Sequence, residues 1–248
     1  MNVAIFGGTF DPIHNGHLAV ARAARDTFGL KLVYFVPAAT PPHKVGDQMT
    51  DYEHRYAMVA LATAGEKEFV PSLIEAPSRR GLGQPSYSIE TVRQVKAGLS
   101  ARDRLFFIAG IDAFLGIAKW REPEALLSEV EFIVASRPGF SLADVGGALP
   151  ESLRPKADVL AALRKSEAVG DIVLPGVTIH LLANLKERAA ATNIRAAAAG
   201  KRSYASLLPS AVAEYIKKSK LYKNEPARPG RAKVLKMPRT RVSVGTEE

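Results

Sequence analysis

Short apolar runs alternate with helix-periodic stretches along this chain. Residues 3–6, Val-Ala-Ile-Phe, read as a strand, and residues 16–28 read as a helix. Lys31 to Val36 is strand-like, and Pro37 closes it. Asp51 to Ala64 is helical, with Asp51 placed to cap it. Phe69 to Ile74 is a weaker strand, because Pro71 interrupts it. Ser88 to Ala97 is helical and stops at Gly98. Arg104 to Ala109, Phe132 to Ala135 and Val177 to Leu182 are apolar enough to be buried strands. Thr192 to Ala199 is helical and ends at Gly200, and Pro209 opens a last helix through Lys218. Apolar strands alternating with helices predict an α/β fold, a doubly wound parallel sheet with helices on both faces. Ligands of such sheets bind at the carboxyl ends of the strands, near a switch in strand order.

Length and charge refine this picture. The 248 residues suffice for one sizeable core. A single Rossmann-like domain is expected over residues 1–222, with 139–176 as an elaboration that carries Gly146-Gly147 and a helical stretch from Ala157 to Lys165. Residues 223–248 hold seven Lys or Arg against three Glu, with Pro226, Pro229, Gly230 and Pro238 and few large apolar side chains. That composition reads as a disordered, solvated extension. Its basic residues are not interleaved with aromatics, so nucleic acid is not an expected partner. Of the net charge of +9, residues 1–222 carry +5, which suits anionic substrates. There is no cysteine, which excludes disulfides, thiol catalysis and Cys-ligated zinc and fits a cytoplasmic protein. No apolar run reaches about 18 residues, so no membrane span is expected. The chain starts directly on a core strand, leaving no room for a signal peptide.

The chemistry concentrates where the first strand meets the first helix. Gly7-Gly8-Thr9-Phe10-Asp11-Pro12-Ile13-His14-Asn15-Gly16-His17 joins them. A strand, a glycine turn and a helix start aim backbone N–H groups and a helix dipole at one spot, which favours phosphate. His14 and His17, three residues apart, share a helix face there. The string GGTFDPIHNGH resembles the signature of the HxGH nucleotidyltransferase superfamily, and its wording most resembles nicotinate-mononucleotide adenylyltransferases. His14 stands where pantetheine-phosphate adenylyltransferases usually carry Thr. The resemblance covers residues 1–222, with 139–176 poorly matched.

Further segments gain meaning from that resemblance. Pro41-Pro42-His43-Lys44 follows the second strand; alone it reads as a rigid loop, and the resemblance implies that Lys44 helps to hold the mononucleotide phosphate. Pro85-Ser86-Tyr87-Ser88 precedes a helix, which either serine could cap. It is similar to the family's PSYT loop, which implies a seat for the nicotinate carboxylate at Ser86, Tyr87 and Ser88. Ile108-Ala109-Gly110-Ile111-Asp112 ends the central strand, and Asp112 suits either a helix cap or a ribose hydroxyl. The family's I-x-G-x-D favours nucleotide contact at Gly110 and Asp112. Trp120, the only tryptophan, reads as core; the resemblance places the matching aromatic against the pyridine ring. Arg137-Pro138-Gly139 resembles a family segment near the adenine or ribose. Thr192, a plausible helix cap, and Arg195 suit a polyphosphate. They resemble the family's I-S-x-T-x-x-R, with Ala189 and Ala190 in the Ile and Ser positions, so one hydroxyl is missing.

The resemblance implies adenylyl transfer from ATP to nicotinate mononucleotide, giving nicotinate adenine dinucleotide and pyrophosphate in NAD biosynthesis. Gly7, Gly8, Thr9 and Phe10 would bind ATP beside His14 and His17, with Lys44 and Arg195 completing the catalytic set. Mg²⁺ would arrive with ATP, since H-x-G-H lacks the spacing of a protein metal site. A transferase for nicotinamide mononucleotide or another phosphate acceptor, and a non-catalytic nucleotide-binding module, are the alternatives. A homo-oligomer stays open.

Overall fold

The computed structural model describes residues 1–41, 49–80, 84–136, 139–164, 170–182, 189–200 and 202–223. Lys44, Arg137 and residues 224–248 of the tail lie outside these residues. The chain runs β1 Asn2–Gly8, α1 Asn15–Phe28, β2 Leu32–Pro37, α2 Tyr52–Thr63, β3 Phe69–Pro71, α3 Pro77–Arg80 and α4 Ser88–Lys96. It continues with β4 Arg104–Gly110, α5 Ile111–Phe114, α6 Pro123–Glu129, β5 Glu131–Ala135, α7 Leu142–Gly147 and α8 Ala157–Leu163. It closes with β6 Gly170–Leu174, β7 Val177–Leu182, α9 Ala191–Ala199 and α10 Ser210–Lys218. The strands form one sheet in the order β3-β2-β1-β4-β5-β7-β6. The chain winds outward from β1 through β2 to β3, then crosses back to β4 and winds the other way. The switch therefore lies between β1 and β4, which pair in parallel with Ile5 beside Phe107.

The period of two in the strands splits their side chains between two cores. Val3, Ile5, Phe107 and Phe132 face one side, where Ile89, Val92, Leu126 and Leu127 of α4 and α6 cover them. Ala4, Phe6, Phe106 and Ile108 face the other, under Leu18 and Ala21 of α1, Met58 of α2, Ile194 of α9 and Val212 of α10. Both faces are closed, which is why the central strands read as unbroken apolar runs.

Three expectations need correction. The sheet is not wholly parallel: β6 pairs antiparallel with β7 through the turn at Gly176, which takes φ 75°. As an edge strand it buries only Ile172 and leaves Val173 71% exposed, so it lacks the apolar run that marked the others. Pro209 is the N-cap of α10 and lies outside the helix, with φ −56° and ψ 141°. Ala190, not Thr192, is the N-cap of α9.

A charge ladder ties four strands together, from the amino ends of β4 and β5 across to the middle of β7 and to β6. Arg104 of β4 donates twice to Glu131 of β5, at 2.9 and 2.7 Å. His180 of β7 lies 3.1 Å from Glu131 through Nε2 and 2.8 Å from Asp171 of β6 through Nδ1. Burial pushes the Glu131 carboxyl up, but the bonds from Arg104 and His180 outweigh it and hold it below its ordinary value of 4.5. A depressed carboxyl contributes stability above its unfolded value and loses it as pH falls through the folded one. Glu131→Gln is therefore expected to lower stability by about 1 kcal/mol at neutral pH. The gap to the native protein should shrink as melting is followed below pH 4.5. A gap that stays constant with pH would show that the ladder contributes nothing through charge.

Candidate functional site

β1 ends in a turn too tight for side chains. A Cβ on Gly8 would lie 3.0 Å from the ring of Phe10, which folds back beneath it in the left-handed region at φ 48°. Such a conformation costs a non-glycine residue about 1–2 kcal/mol. Burial offsets it: the Phe10 ring is 2% exposed and meets Phe6, Phe35 and the His17 ring, with centroids 5.6, 5.9 and 5.1 Å away. Phe10 thus packs under the histidines, and its peptide group is what it can offer a nucleotide.

His14 is the N-cap of α1 and His17 its third residue. Their rings stack with centroids 3.7 Å apart at 26°. The His14 N–H donates to His17 Nδ1 at 3.2 Å. With Nδ1 accepting, the proton of a neutral His17 sits on Nε2, a donor suited to a phosphate oxygen. Gly16 sits against the His14 ring for lack of a side chain: a Cβ there would lie 3.0 Å from His14 Nδ1 and 3.5 Å from the carbonyl of Ala189. That second contact brings the entry of α9 against the start of α1, although the two are separated by most of the chain.

Arg195, one turn into α9, closes the join. Its Nη1 donates to the Asp11 carbonyl at 2.6 Å. Thr192 is exposed in the first turn of α9. Ala190 at the N-cap is extended (φ −132°, ψ 132°), the backbone a capping serine adopts. Ala190→Ser is expected to raise stability by about 1 kcal/mol and the melting temperature by about 2–4 °C. It should leave the ATP KM the same or lower. A lower melting temperature would show that the hydroxyl finds no N–H there.

The second wall comes from β2 and α4. Ser86 is buried; its N–H donates to the Thr40 carbonyl at 3.0 Å and its Oγ accepts from the Thr40 N–H at 3.4 Å. Neither Ser86 nor Ser88 is the N-cap of α4; Tyr87 holds that position, with the Arg121 guanidinium 5.4 Å from its ring centroid. This loop follows no strand directly, and its pairing with Thr40 is what carries it to the carboxyl end of the sheet. On the β4 side, Gly110 is the N-cap of α5 and Asp112 is exposed in its first turn. Trp120 is half-buried, its ring edge-on to Phe107 at 6.0 Å. The structure thus brings Gly7, Gly8, Thr9, His14, His17 and Arg195 together, with Ser86, Tyr87 and Ser88 on the β2 side. Gly110, Asp112 and Trp120 stand on the β4 side of the switch.

Three residues to which the sequence assigns no role hold the turn in place: Arg55, Asp11 and Tyr222. Arg55 of α2 is 1% exposed and donates to the carbonyls of Thr9, Ala38, Thr50 and Ala39, at 2.8, 2.8, 2.8 and 3.3 Å. Burial lowers its pKa, and the Asp11 carboxylate is the first charge opposing that. Asp11 is 5% exposed; it accepts the Thr50 N–H at 3.3 Å and the Tyr222 hydroxyl at 2.8 Å. A signal for Arg55 did exist: it shares helical spacing with the buried Met58, Val59 and Ala62.

Stacked imidazoles, a guanidinium and two abutting helix starts are donors of the kind that suit a polyphosphate. Among the described residues no group of three or more His, Cys, Asp or Glu is placed to hold a metal ion. No helix among them is long and apolar enough to cross a membrane. A cavity of about 760 Å³ opens at the opposite end of the sheet, between Arg104, Glu131 and His180, away from these groups.

Residues 5–197 match the family model described as cytidylyltransferase-like. The chain is 37% identical over 227 residues to the "Probable nicotinate-nucleotide adenylyltransferase" of Geobacter sulfurreducens, covering 91% of this chain and 100% of that one. It is 40% identical over 221 residues to the protein of the same name from Moorella thermoacetica, covering 89% and 91%. The structure of the Plasmodium falciparum nicotinic acid mononucleotide adenylyltransferase complexed with NaAD superposes with a TM-score of 0.62 at 17% identity, covering 89% of this chain and 97% of that one. That likeness shows the fold. The chain belongs to the cytidylyltransferase-like family, on the branch of the nicotinate-nucleotide adenylyltransferases.

Proposed function

We propose that this chain transfers the adenylyl group of ATP to nicotinate mononucleotide, giving nicotinate adenine dinucleotide and pyrophosphate in NAD biosynthesis. The observation that carries this is the β1–α1 turn, where His14 and His17 stack and Arg195 donates to the Asp11 carbonyl. The relatives' names support the choice of acceptor. A phosphate oxygen of the mononucleotide attacks the α-phosphorus of ATP. The bond to the bridging oxygen breaks, and pyrophosphate leaves with the electron pair. The acceptor brings its own nucleophile, so the protein's task is alignment and charge neutralisation.

His14, His17 and Thr9 hold the ATP phosphates on the turn formed by Gly7, Gly8 and Phe10. Arg195 and Thr192 take the charge that grows on pyrophosphate. Gly110, Asp112 and Arg137 contact the adenosine. Lys44 steadies the acceptor phosphate, Ser86, Tyr87 and Ser88 receive the nicotinate carboxylate, and Trp120 lies against its ring. The carboxylate of the turn, Asp11, is engaged by Tyr222 and Thr50. The remaining donors are imidazoles, a guanidinium and N–H groups. This set fits Mg²⁺ held by the nucleotide's own phosphates, where it supplies further neutralisation of charge. A cytoplasmic location fits a cysteine-free chain.

The test is incubation with Mg-ATP and each mononucleotide, with products identified by mass. Nicotinate mononucleotide is expected to show the higher kcat/KM, because N–H and hydroxyl donors reward a carboxylate more than an amide. Equal or reversed preference overturns the acceptor assignment. Absence of any dinucleotide, with ATP still bound, favours a nucleotide-binding module.

A further inference from the structure

Tyr222 lies beyond α10, 211 positions from the turn it touches, and the proposed reaction gives it no task. The chain takes a costly path to place it. Lys220 and Tyr222 both adopt left-handed backbone, φ 55° and 65°, which non-glycine residues enter at a penalty. The result is a ring 7% exposed in the core beside Val212 and Ile216, with its hydroxyl on Asp11 Oδ1 at 2.8 Å. Burial raises the phenol's pKa, and the Asp11 charge adds to this, so the group stays a proton donor.

Asp11 is held from both sides of its own residue. Its side chain accepts from Tyr222 and, at the longer distance of 3.3 Å, from the Thr50 N–H. Its carbonyl accepts from Arg195 Nη1 at 2.6 Å. The phenol therefore fixes one end of the residue whose other end orients the guanidinium. We propose that Tyr222 is a positioning residue for Arg195, acting through Asp11. The inference rests on the reading of Arg195 as a polyphosphate ligand. With the phenol gone, the carboxylate keeps one long bond among those described, the turn gains freedom, and the guanidinium loses its fixed aim at the phosphates.

The test is a double-mutant cycle read by binding as well as by turnover. Calorimetry with α,β-methylene-ATP is run on the full-length native chain, Tyr222→Phe, Arg195→Lys and the double variant. Tyr222→Phe keeps the ring and removes only the hydroxyl. It is expected to weaken analogue binding and raise the ATP KM about tenfold, the effect of one hydrogen bond to a charged group. The KM for nicotinate mononucleotide should move less than about twofold. In the Arg195→Lys background the same substitution should change analogue binding by less than about twofold. Asp11→Ala, which removes the acceptor and keeps the backbone carbonyl that Arg195 uses, should reproduce the loss and add little to Tyr222→Phe, and it takes that variant's place in the cycle if Tyr222→Phe does not fold.

Equal losses in both Arg195 backgrounds overturn the proposal, since Tyr222 would then act on stability alone. No loss in Tyr222→Phe overturns it as well. A native chain that binds the analogue but makes no dinucleotide fails the adenylyltransferase reading, while the binding cycle still decides the coupling.

Discussion

Replacing His17 by alanine is expected to lower kcat by about 10²–10³, the cost of about 2.7–4 kcal/mol for losing one preorganised donor to a charged transition state. The geometry adds a structural share. The His17 ring accepts the His14 N–H, stacks on His14 and rests on Phe10. Alanine removes all three contacts, so a fall of a few degrees in melting temperature should accompany the kinetic loss. His17→Asn separates the two shares, because its carbonyl can still accept the His14 N–H but its amide does not reach where Nε2 stood. It should regain stability and stay slow. Turnover near that of the native chain in either variant would remove His17 from the mechanism.

Arg55 governs a second large effect, on stability. Arg55→Met is expected to cost about 3–5 kcal/mol, as for breaking a buried, hydrogen-bonded charge, and about 10 °C or more in melting temperature. The methionine fills most of the volume, so the loss comes from the carbonyls of Thr9, Ala38, Ala39 and Thr50 and from the nearby Asp11 charge. Against a total of about 5–15 kcal/mol for a domain, this is a large fraction. Arg55→Lys keeps a cation there but cannot fork to four acceptors, and should fall between the two. A methionine variant that melts with the native chain would show that water satisfies those carbonyls.

Arg55 explains a feature of the family-like turn that its glycines alone do not. The segments after β1 and β2 and the start of α2 are joined by one guanidinium through backbone carbonyls. Tyr222 ties in the segment beyond α10 by a different route, through the Asp11 side chain. Polar side chains spent on backbone acceptors leave no trace in a motif, because any residue supplies a carbonyl. The motif string therefore names the groups proposed to meet phosphate, and Asp11 beside them, but is silent on Arg55 and Tyr222, which hold them still.

Local sequence was enough for the strands of the sheet's centre. Val3–Phe6 and Leu105–Ala109 announce themselves because both faces of those strands are covered, so every side chain there is apolar. The turn from Gly7 to His17 was equally legible, since its glycines, its helix start and its paired histidines are constraints acting within a few residues. Tertiary structure decided the rest. β6 pairs with β7 at the sheet's edge, where one exposed face permits a mixed sequence. Ala190 caps α9 where the entry of that helix abuts Gly16, a contact that no propensity of alanine or threonine encodes. Ser86 bonds to Thr40, and Tyr222 to Asp11, because the winding of the sheet sets those segments side by side. Periodicity and turn chemistry are written in neighbouring residues. The partner of a polar group depends on which strand ends the topology brings together, and that is settled only when the two cores close on the sheet.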